Sequence, residues 1–504
     1  MKKKISLLLL VVMIIAVALS GCGNKKETGD KTVKVGGTSA VTDTMDPASE
    51  WKGWYTVRYG VGETLFKLNK ELTPEPWIAE KYENVDDTTW KITIKDGVTF
   101  SNGEKVTGEK VVASLKRTAE MNERAISLKN STITADGNSV TIKTAEPYVT
   151  LVNDLCDPYA VIVDVEGTKD FTNAPICTGP FVMSKFEPEA KAEMVKNEKY
   201  WDGEVKADKV EYVKVADFNT LALSLQNGEI DVAQDLSPEA AKTVEGSDGI
   251  ELSSTEQPRT YQLYFNLEKL TDKNVREAIM YGIDKETLGT KQLNGAVVPA
   301  NGAFLDDTDY NGKNLKVKTN DAKQAKKLLA DAGYVDTDKD GIVEKDGKPL
   351  TIQLCVYKRL AMESVATELQ AQLKKIGIDL QVQVHEKSTY FSSGEFDLGI
   401  YSIVTTPVGD PYGFLRDCME NGGVANYGKY NSEKVQSLLK DLSKEFDAKK
   451  RVQIVSEIQQ EAINDAAFDY IGFNSMKVGT KANISGYQTT ANDYYQITKE
   501  TEKK

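Results

Sequence analysis

Trp90, Ile92 and Ile94 alternate with Lys91, Thr93 and Lys95 before Asp96-Gly97, which predicts a half-buried strand ending in a tight turn. Val140-Thr141-Ile142 after Asp136-Gly137 repeats the pattern. Leu221, Ala222 and Leu225 make a short helical face that stops at Gly228 and leads into Ile230-Asp231-Val232, a strand. Val275, Ile279 and Ile283 fall at helical spacing, as do Ala322, Ala325, Leu328, Leu329 and Ala332, with Asp321 as N-cap and Gly333 as C-cap. Val365, Leu369, Leu373 and Ile376 predict another helix, closed by Gly377 and followed by a strand over 378–384. Helices joined to strands by short glycine turns indicate an α/β chain. With 504 residues, about three compact units are expected. No repeat or proline/serine-rich linker divides them, so the units share strands and hinges.

The N-terminus follows a different rule. Lys2, Lys3 and Lys4 precede an apolar run over 5–19 that is shorter than the ~20 residues of a membrane span, which fits a secretory signal. The run ends in Leu19-Ser20-Gly21-Cys22, a lipobox-like site where cleavage would leave Cys22 free to carry acyl chains. Residues 1–21 then form the signal and 22–32 the lipidated cysteine with a polar tether. The mature chain is placed on the extracytoplasmic face of a bacterial membrane.

Charge and composition narrow the chemistry. Lys plus Arg number 63 against 76 Asp plus Glu, a net −13, so binding to nucleic acid through the bulk field is not expected. Histidine occurs once, at His385, so a histidine-rich zinc site cannot be built and a Ser-His-Asp site would have to use that residue. The cysteines at 22, 156, 177, 355 and 418 form no C-x-x-C pair. A secreted hydrolase would rest on Ser437-Leu438-Leu439-Lys440, an S-x-x-K without K-T-G, in a stretch of helical spacing. Asp336-Thr337-Asp338-Lys339-Asp340-Gly341 begins like a calcium loop, but position twelve is Gly347 rather than glutamate, with Glu344 nearby. Two clusters combine aromatic rings with arginine, which suits planar contact with a carboxylate: Trp54, Tyr55 and Arg58, then Tyr401, Thr405, Thr406, Asp410, Tyr412 and Arg416.

Several segments, in order, resemble the family 5 solute-binding proteins of bacterial ABC importers, which include oligopeptide, dipeptide and nickel binders. Within 76–115 these are Trp77-Ile78-Ala79-Glu80, Lys95-Asp96-Gly97-Val98-Thr99-Phe100, Asn102-Gly103 and Val111-Val112-Ala113-Ser114-Leu115. Cys177-Thr178-Gly179-Pro180-Phe181, Asn197-Glu198-Lys199-Tyr200-Trp201, Asn227-Gly228-Glu229-Ile230-Asp231, Phe265-Asn266, 369–378 (LQAQLKKIGI) and Gly409-Asp410-Pro411 continue the series. The resemblance implies a two-lobed, clam-shaped α/β fold of the periplasmic-binding type II class, with a subdomain inserted into the first lobe. Lobe I would comprise 33–75, 195–266 and 476–504, the insertion 76–194, and lobe II 267–475.

It also implies a non-enzymatic, monomeric receptor without cofactor that delivers a small peptide or metal chelate to permease subunits. A surface receptor that senses peptides or acts as an adhesin would use the same fold. Peptide binders of the family place an aspartate just before Gly-Asp-Pro to pair with the ligand amine, and here Pro407 stands there. Thr405-Thr406-Pro407, Trp54 to Arg58 and Asn122-Glu123-Arg124 look closer to the nickel and metallophore branch. A negatively charged chelate held by Arg58, Arg124 or Arg416 and stacked on Trp54, Tyr401 or Tyr427 follows, with no metal held by protein alone.

Overall fold

The structure, a computed structural model, describes residues 31–504. The signal and Cys22 lie outside the described residues. Among those described, no helix is long and apolar enough to cross a membrane.

One eleven-stranded sheet runs through both lobes. Its spine is two long antiparallel strands, Ile250–Phe265 and Phe468–Lys481, which belong to both halves. At 16 residues the first spans about 50 Å, long enough to pass from one lobe into the other. On the second-lobe side it pairs with Leu398–Val404, then Thr351–Tyr357 and Asp379–His385 follow in parallel. On the first-lobe side Phe468–Lys481 pairs with Val232–Leu236, followed by Thr32–Gly37, Lys209–Lys214, Lys191–Lys196 and Phe181–Glu187. Phe181–Glu187 and the first four residues of Lys191–Lys196 were expected within the inserted unit, yet both strands pair into the main sheet.

The crossing strands lose register between Glu256↔Ser475 and Thr260↔Phe473, so Gln257, Pro258 and Arg259 bulge where the lobes meet. Pro258 has no amide hydrogen to give to a ladder, which is why the slip falls there. The amide of Thr405 donates to the freed Pro258 carbonyl at 2.7 Å.

The helices obey the spacing of their apolar residues. Phe218–Asn227 is capped by Asp217, which accepts from the Thr220 amide at 2.9 Å, and ends at Gly228 in the left-handed region. Ala322–Asp331 is capped by Asp321 in the same way. Met362–Lys374 packs Val365, Leu369 and Leu373 into the second-lobe core and feeds the strand Asp379–His385. A separate four-stranded antiparallel sheet, ordered Ala79–Asp86, Thr89–Ile94, Ser139–Thr144 and Ser131–Asp136, packs with the helix Gly108–Met121 around its own core, which includes Trp90, Ile92, Val111 and Leu115.

Two of the family-like segments meet on one buried acid. Glu63 is fully buried and accepts from Thr178 Oγ1 at 2.8 Å, Tyr200 Oη at 2.7 Å and Trp201 Nε1 at 2.8 Å. Burial outweighs these donors and pushes its carboxyl up to about 7. The folded chain therefore keeps a proton that the unfolded chain sheds near 4.5, so this group's contribution to stability falls as pH rises from 4.5 towards 7. Glu63→Gln is expected to flatten that slope, which urea melts across the interval would read.

Candidate interlobe ligand site

The carboxyl ends of the parallel strands face the hinge from both lobes: Val232–Leu236 from the first, Thr351–Tyr357 and Leu398–Val404 from the second. This is where open α/β sheets bind ligands. A narrow cleft lies there, lined by Trp54, the bulge residues Gln257, Pro258 and Arg259, Val404, Pro407 and the loop Ala491 to Tyr494.

Trp54 and Arg58 lie one turn apart on the helix Gly53–Arg58. Both grip Asp493: Trp54 Nε1 donates to Oδ1 at 2.8 Å, and Arg58 donates through Nη2 to Oδ2 at 2.9 Å and through Nε to the Asp493 carbonyl at 3.2 Å. The Arg58 guanidinium lies 5.7 Å from the Trp54 ring centre and 5.6 Å from that of Tyr55. Arg58 is thus spent on fixing the 491–494 loop, and Trp54 presents its ring to the cavity.

Arg259 is the contrasting case. It is half-buried on the bulge, 5.9 Å from the Trp54 ring centre, and pairs with no carboxylate among the described residues. Burial and the nearby Arg359 lower its pKa to about 10, against the weaker pull of Asp493 and Asp235. Arg359, two residues beyond Thr351–Tyr357, is exposed and also forms no ion pair among the described residues. Asn492 adds a buried Nδ2 without a hydrogen-bond acceptor. Guanidinium, amide donor and indole face around apolar Pro258, Val404 and Pro407 suit a small carboxylate with an apolar body.

The other sequence-predicted residues are distributed differently. Arg124 stacks over Trp51 at 3.5 Å and pairs with Asp157, in a shallow neighbouring recess that shares Trp54 and Tyr494 with the first. Tyr401 and Tyr427 stand 5.5 Å apart in a second-lobe cluster with Phe391 and Tyr357, off the cavity wall. Thr405 and Thr406 are buried, the first bonded to the Pro258 carbonyl. Arg416 pairs with the adjacent Asp417 at 2.7 Å.

Asp410 is buried against Arg451 at 2.6 Å and also accepts from the Tyr412 amide at 2.8 Å. Asp410→Ala would strand Arg451, so a loss of about 3–5 kcal/mol of stability is expected in denaturant melts.

Asp336, Asp338, Asp340 and Glu344 do converge, with candidate ligand atoms within 4.8 Å of one another. The three aspartates accept from the loop's own amides at Lys339, Asp340, Gly341 and Ile342, a surface turn. Ser437 is exposed within the helix Glu433–Leu442 along with Lys440, and His385 stacks on Tyr390 at 4.4 Å, which gives a nucleophilic site no support. Cys156, Cys177, Cys355 and Cys418 are buried and unbridged.

Arg259, Arg359 and Asn492 escaped the sequence reading. The signal for Arg259 was present: Pro258 interrupts a stretch in which Tyr261, Leu263 and Phe265 alternate, and a proline there marks a bulge that re-aims its neighbour.

The lobes touch across the hinge. Asn153 Nδ2 donates to the Val408 carbonyl at 2.9 Å, and Tyr494 Oη to that of Pro407 at 2.9 Å. Gly409, with φ 79°, sits so close to the Leu72 carbonyl that a Cβ would lie 2.0 Å from its oxygen.

The chain is similar over its length to known proteins. The nickel-binding protein NikA of Staphylococcus aureus is 29% identical over 487 residues, covering 95% of this chain and 96% of that protein. The oligopeptide-binding protein AppA of Bacillus subtilis is 25% identical, with 99% of each covered. The crystal structure of the S. aureus NikA in complex with Ni(L-His)2 superposes with a TM-score of 0.79 at 27% identity, covering 94% of this chain and all of that one. The profile of bacterial extracellular solute-binding proteins, family 5 Middle, matches residues 73–426, and with that the chain belongs to the family 5 extracellular solute-binding proteins.

Proposed function

We propose that this chain captures a small carboxylate-bearing metal chelate, of the nickel–histidine type, between its lobes and delivers it to the permease of an ABC importer. The observation that carries this is Arg259, a guanidinium without an acidic partner among the described residues, which lines the interlobe cleft together with the unmet Asn492 amide. Likeness to the nickel binder supports the chelate. Likeness to the oligopeptide binder supports a short peptide as second reading, since its carboxylate would meet the same arginines.

The chelator, not the protein, supplies the metal ligands, because the only histidine is stacked on Tyr390 away from the cavity wall. Titration calorimetry on residues 31–504 with nickel–L-histidine, nickel alone and dialanine tests this. Binding of the chelate without binding of nickel alone is expected; equal binding of bare nickel, or none of the three, would contradict it.

Trp54 and Arg259 act as the ligand's stack and clamp, while Arg58, Thr405, Thr406 and Asp410 hold the wall in place. Cys22 anchors the mature chain by lipid, so Cys22→Ser should release it from the membrane fraction. The units divide as lobe I, a lobe I insertion and lobe II; the insertion closes with the core that ends at Ile162, since Phe181–Glu187 and Lys191–Lys196 belong to the main sheet.

A further inference from the structure

Asparagine followed by glycine loses ammonia readily, because glycine puts no side chain in the way of its own amide nitrogen. The sequence has six such steps, at Asn102, Asn227, Asn294, Asn301, Asn311 and Asn421. The reaction asks two things of the fold: a glycine amide not committed to a hydrogen bond, and an asparagine side chain able to swing back over it.

Five of the six steps are sheltered. The Gly103 amide donates to the Phe100 carbonyl at 2.8 Å, while Asn102 spends Nδ2 on Asp164 and Oδ1 on the Glu104 amide. The Gly228 amide closes the helix Phe218–Asn227 on the Leu225 carbonyl at 3.1 Å, and the Gly295 amide donates to the Gly289 carbonyl at 2.9 Å. Asn311 donates through Nδ2 to the Thr308 carbonyl at 2.6 Å and accepts from the Lys313 amide at 3.1 Å. At Asn301 the barrier is packing. Gly302 is buried, and a Cβ on Gly312 would lie 2.6 Å from its nitrogen, so backbone already covers the atom that would attack.

Asn421 is the exception. It and Gly422 are both exposed, the Asn421 side chain and the Gly422 amide form no hydrogen bond with any described residue, and a Cβ on Gly422 would meet nothing within 4 Å. The turn around them is held at its edges: the Asn421 amide donates to Gln436 Oε1 at 3.0 Å, the Gly423 amide to the Glu420 carbonyl at 2.9 Å and the Ala425 amide to the Asp417 carbonyl at 2.8 Å. We propose that Asn421-Gly422 is a modification site of the folded chain, where the Gly422 nitrogen attacks Asn421 Cγ, expels ammonia and closes a succinimide. Water then opens the ring at either carbonyl and leaves aspartate or isoaspartate; nothing else is consumed. The attacking nitrogen must first lose its proton, so conversion quickens as pH rises. The product adds one negative charge to a chain whose net charge is −13, just beyond the C-terminal end of the helix Tyr412–Met419. That end of a helix disfavours an anion, and isoaspartate also lengthens the main chain by one carbon within the turn.

The test holds residues 31–504 in mildly alkaline buffer, folded and in urea, followed by digestion at acidic pH and mass mapping with fragmentation. In the folded chain, conversion at Asn421 is expected to outrun each of the other five steps by about tenfold or more, since those react only through local opening. In urea the shelter is gone, and all six are expected to convert within about threefold of one another. Asn421→Gln keeps the backbone bonds of the turn and should remove the acidic species that ion exchange separates from the aged native chain, with the melting temperature unchanged. A folded chain in which Asn421 converts no faster than the other five would overturn the proposal. So would a lead for Asn421 that persists in urea, which would place its cause in local sequence, or an acidic species of equal abundance in Asn421→Gln.

Discussion

Gly409→Ala is expected to cost about a hundredfold in ligand affinity, near 2.7 kcal/mol, while leaving both lobes folded. At φ 79° glycine is at ease and alanine is strained by about 1–2 kcal/mol. The larger effect is contact across the gap. The new methyl would lie 2.0 Å from the Leu72 carbonyl oxygen and 3.0 Å from Leu68 Cδ2, and backbone cannot yield as a flexible side chain does. Leu72 and Leu68 pack with the insertion, whereas Gly409 belongs to the second-lobe segment whose carbonyls at Pro407 and Val408 are held by Tyr494 and Asn153. An added methyl therefore pushes the lobes apart along the line on which they meet. Small-angle scattering of the variant should show the same radius of gyration with and without ligand, and calorimetry the loss of affinity. Native affinity in the variant would show that closure does not pass through this contact.

Arg259→Gln should move two quantities in opposite directions. Losing a charge-assisted contact to a carboxylate costs about 1.5–3 kcal/mol, so affinity should fall about ten- to a hundredfold. The unliganded chain should become more stable. The folded-state value near 10 lies below the ordinary 12.5, so the charged guanidinium disfavours the fold at every pH below 10 and is relieved only as pH climbs from 10 to 12.5. Removing it takes away that penalty and its repulsion with Arg359, with an expected rise of about 2 °C in melting temperature at neutral pH. A guanidinium serving only the fold would give the reverse, a lower melting temperature with affinity unchanged. Stability surrendered for an unmatched charge is a mark of a binding site.

Elements with a strong local period were legible in the sequence. Asp217 with Gly228, and Asp321 ahead of Ala325, Leu328 and Leu329, announce their helices through caps and spacing that need no distant partner. The two crossing strands were not, for a physical reason. Phe468–Lys481 is buried along most of its length, so its residues do not alternate. Ile250–Phe265 changes from a largely exposed first half to a buried second half at the bulge, which breaks any single period.

The site divides in the same way. Trp54 could be picked out from its neighbours in sequence, but Arg58 is claimed by Asp493, 435 residues away, and nothing local distinguishes an arginine reserved for a ligand from one already paired. Asp410 likewise looked free in sequence until Arg451 came to it in the fold. Pro258 marks the bulge in the sequence, but that Arg259 lacks an acidic partner is visible only once both lobes are in place.

Native mass spectrometry with elemental analysis of the mature chain, purified without unfolding, tests the central claim most directly. Added mass is predicted that corresponds to a small organic acid carrying a metal such as nickel, lost in Arg259→Gln. A bare native chain that gains no mass from any chelate or short peptide offered would contradict the account.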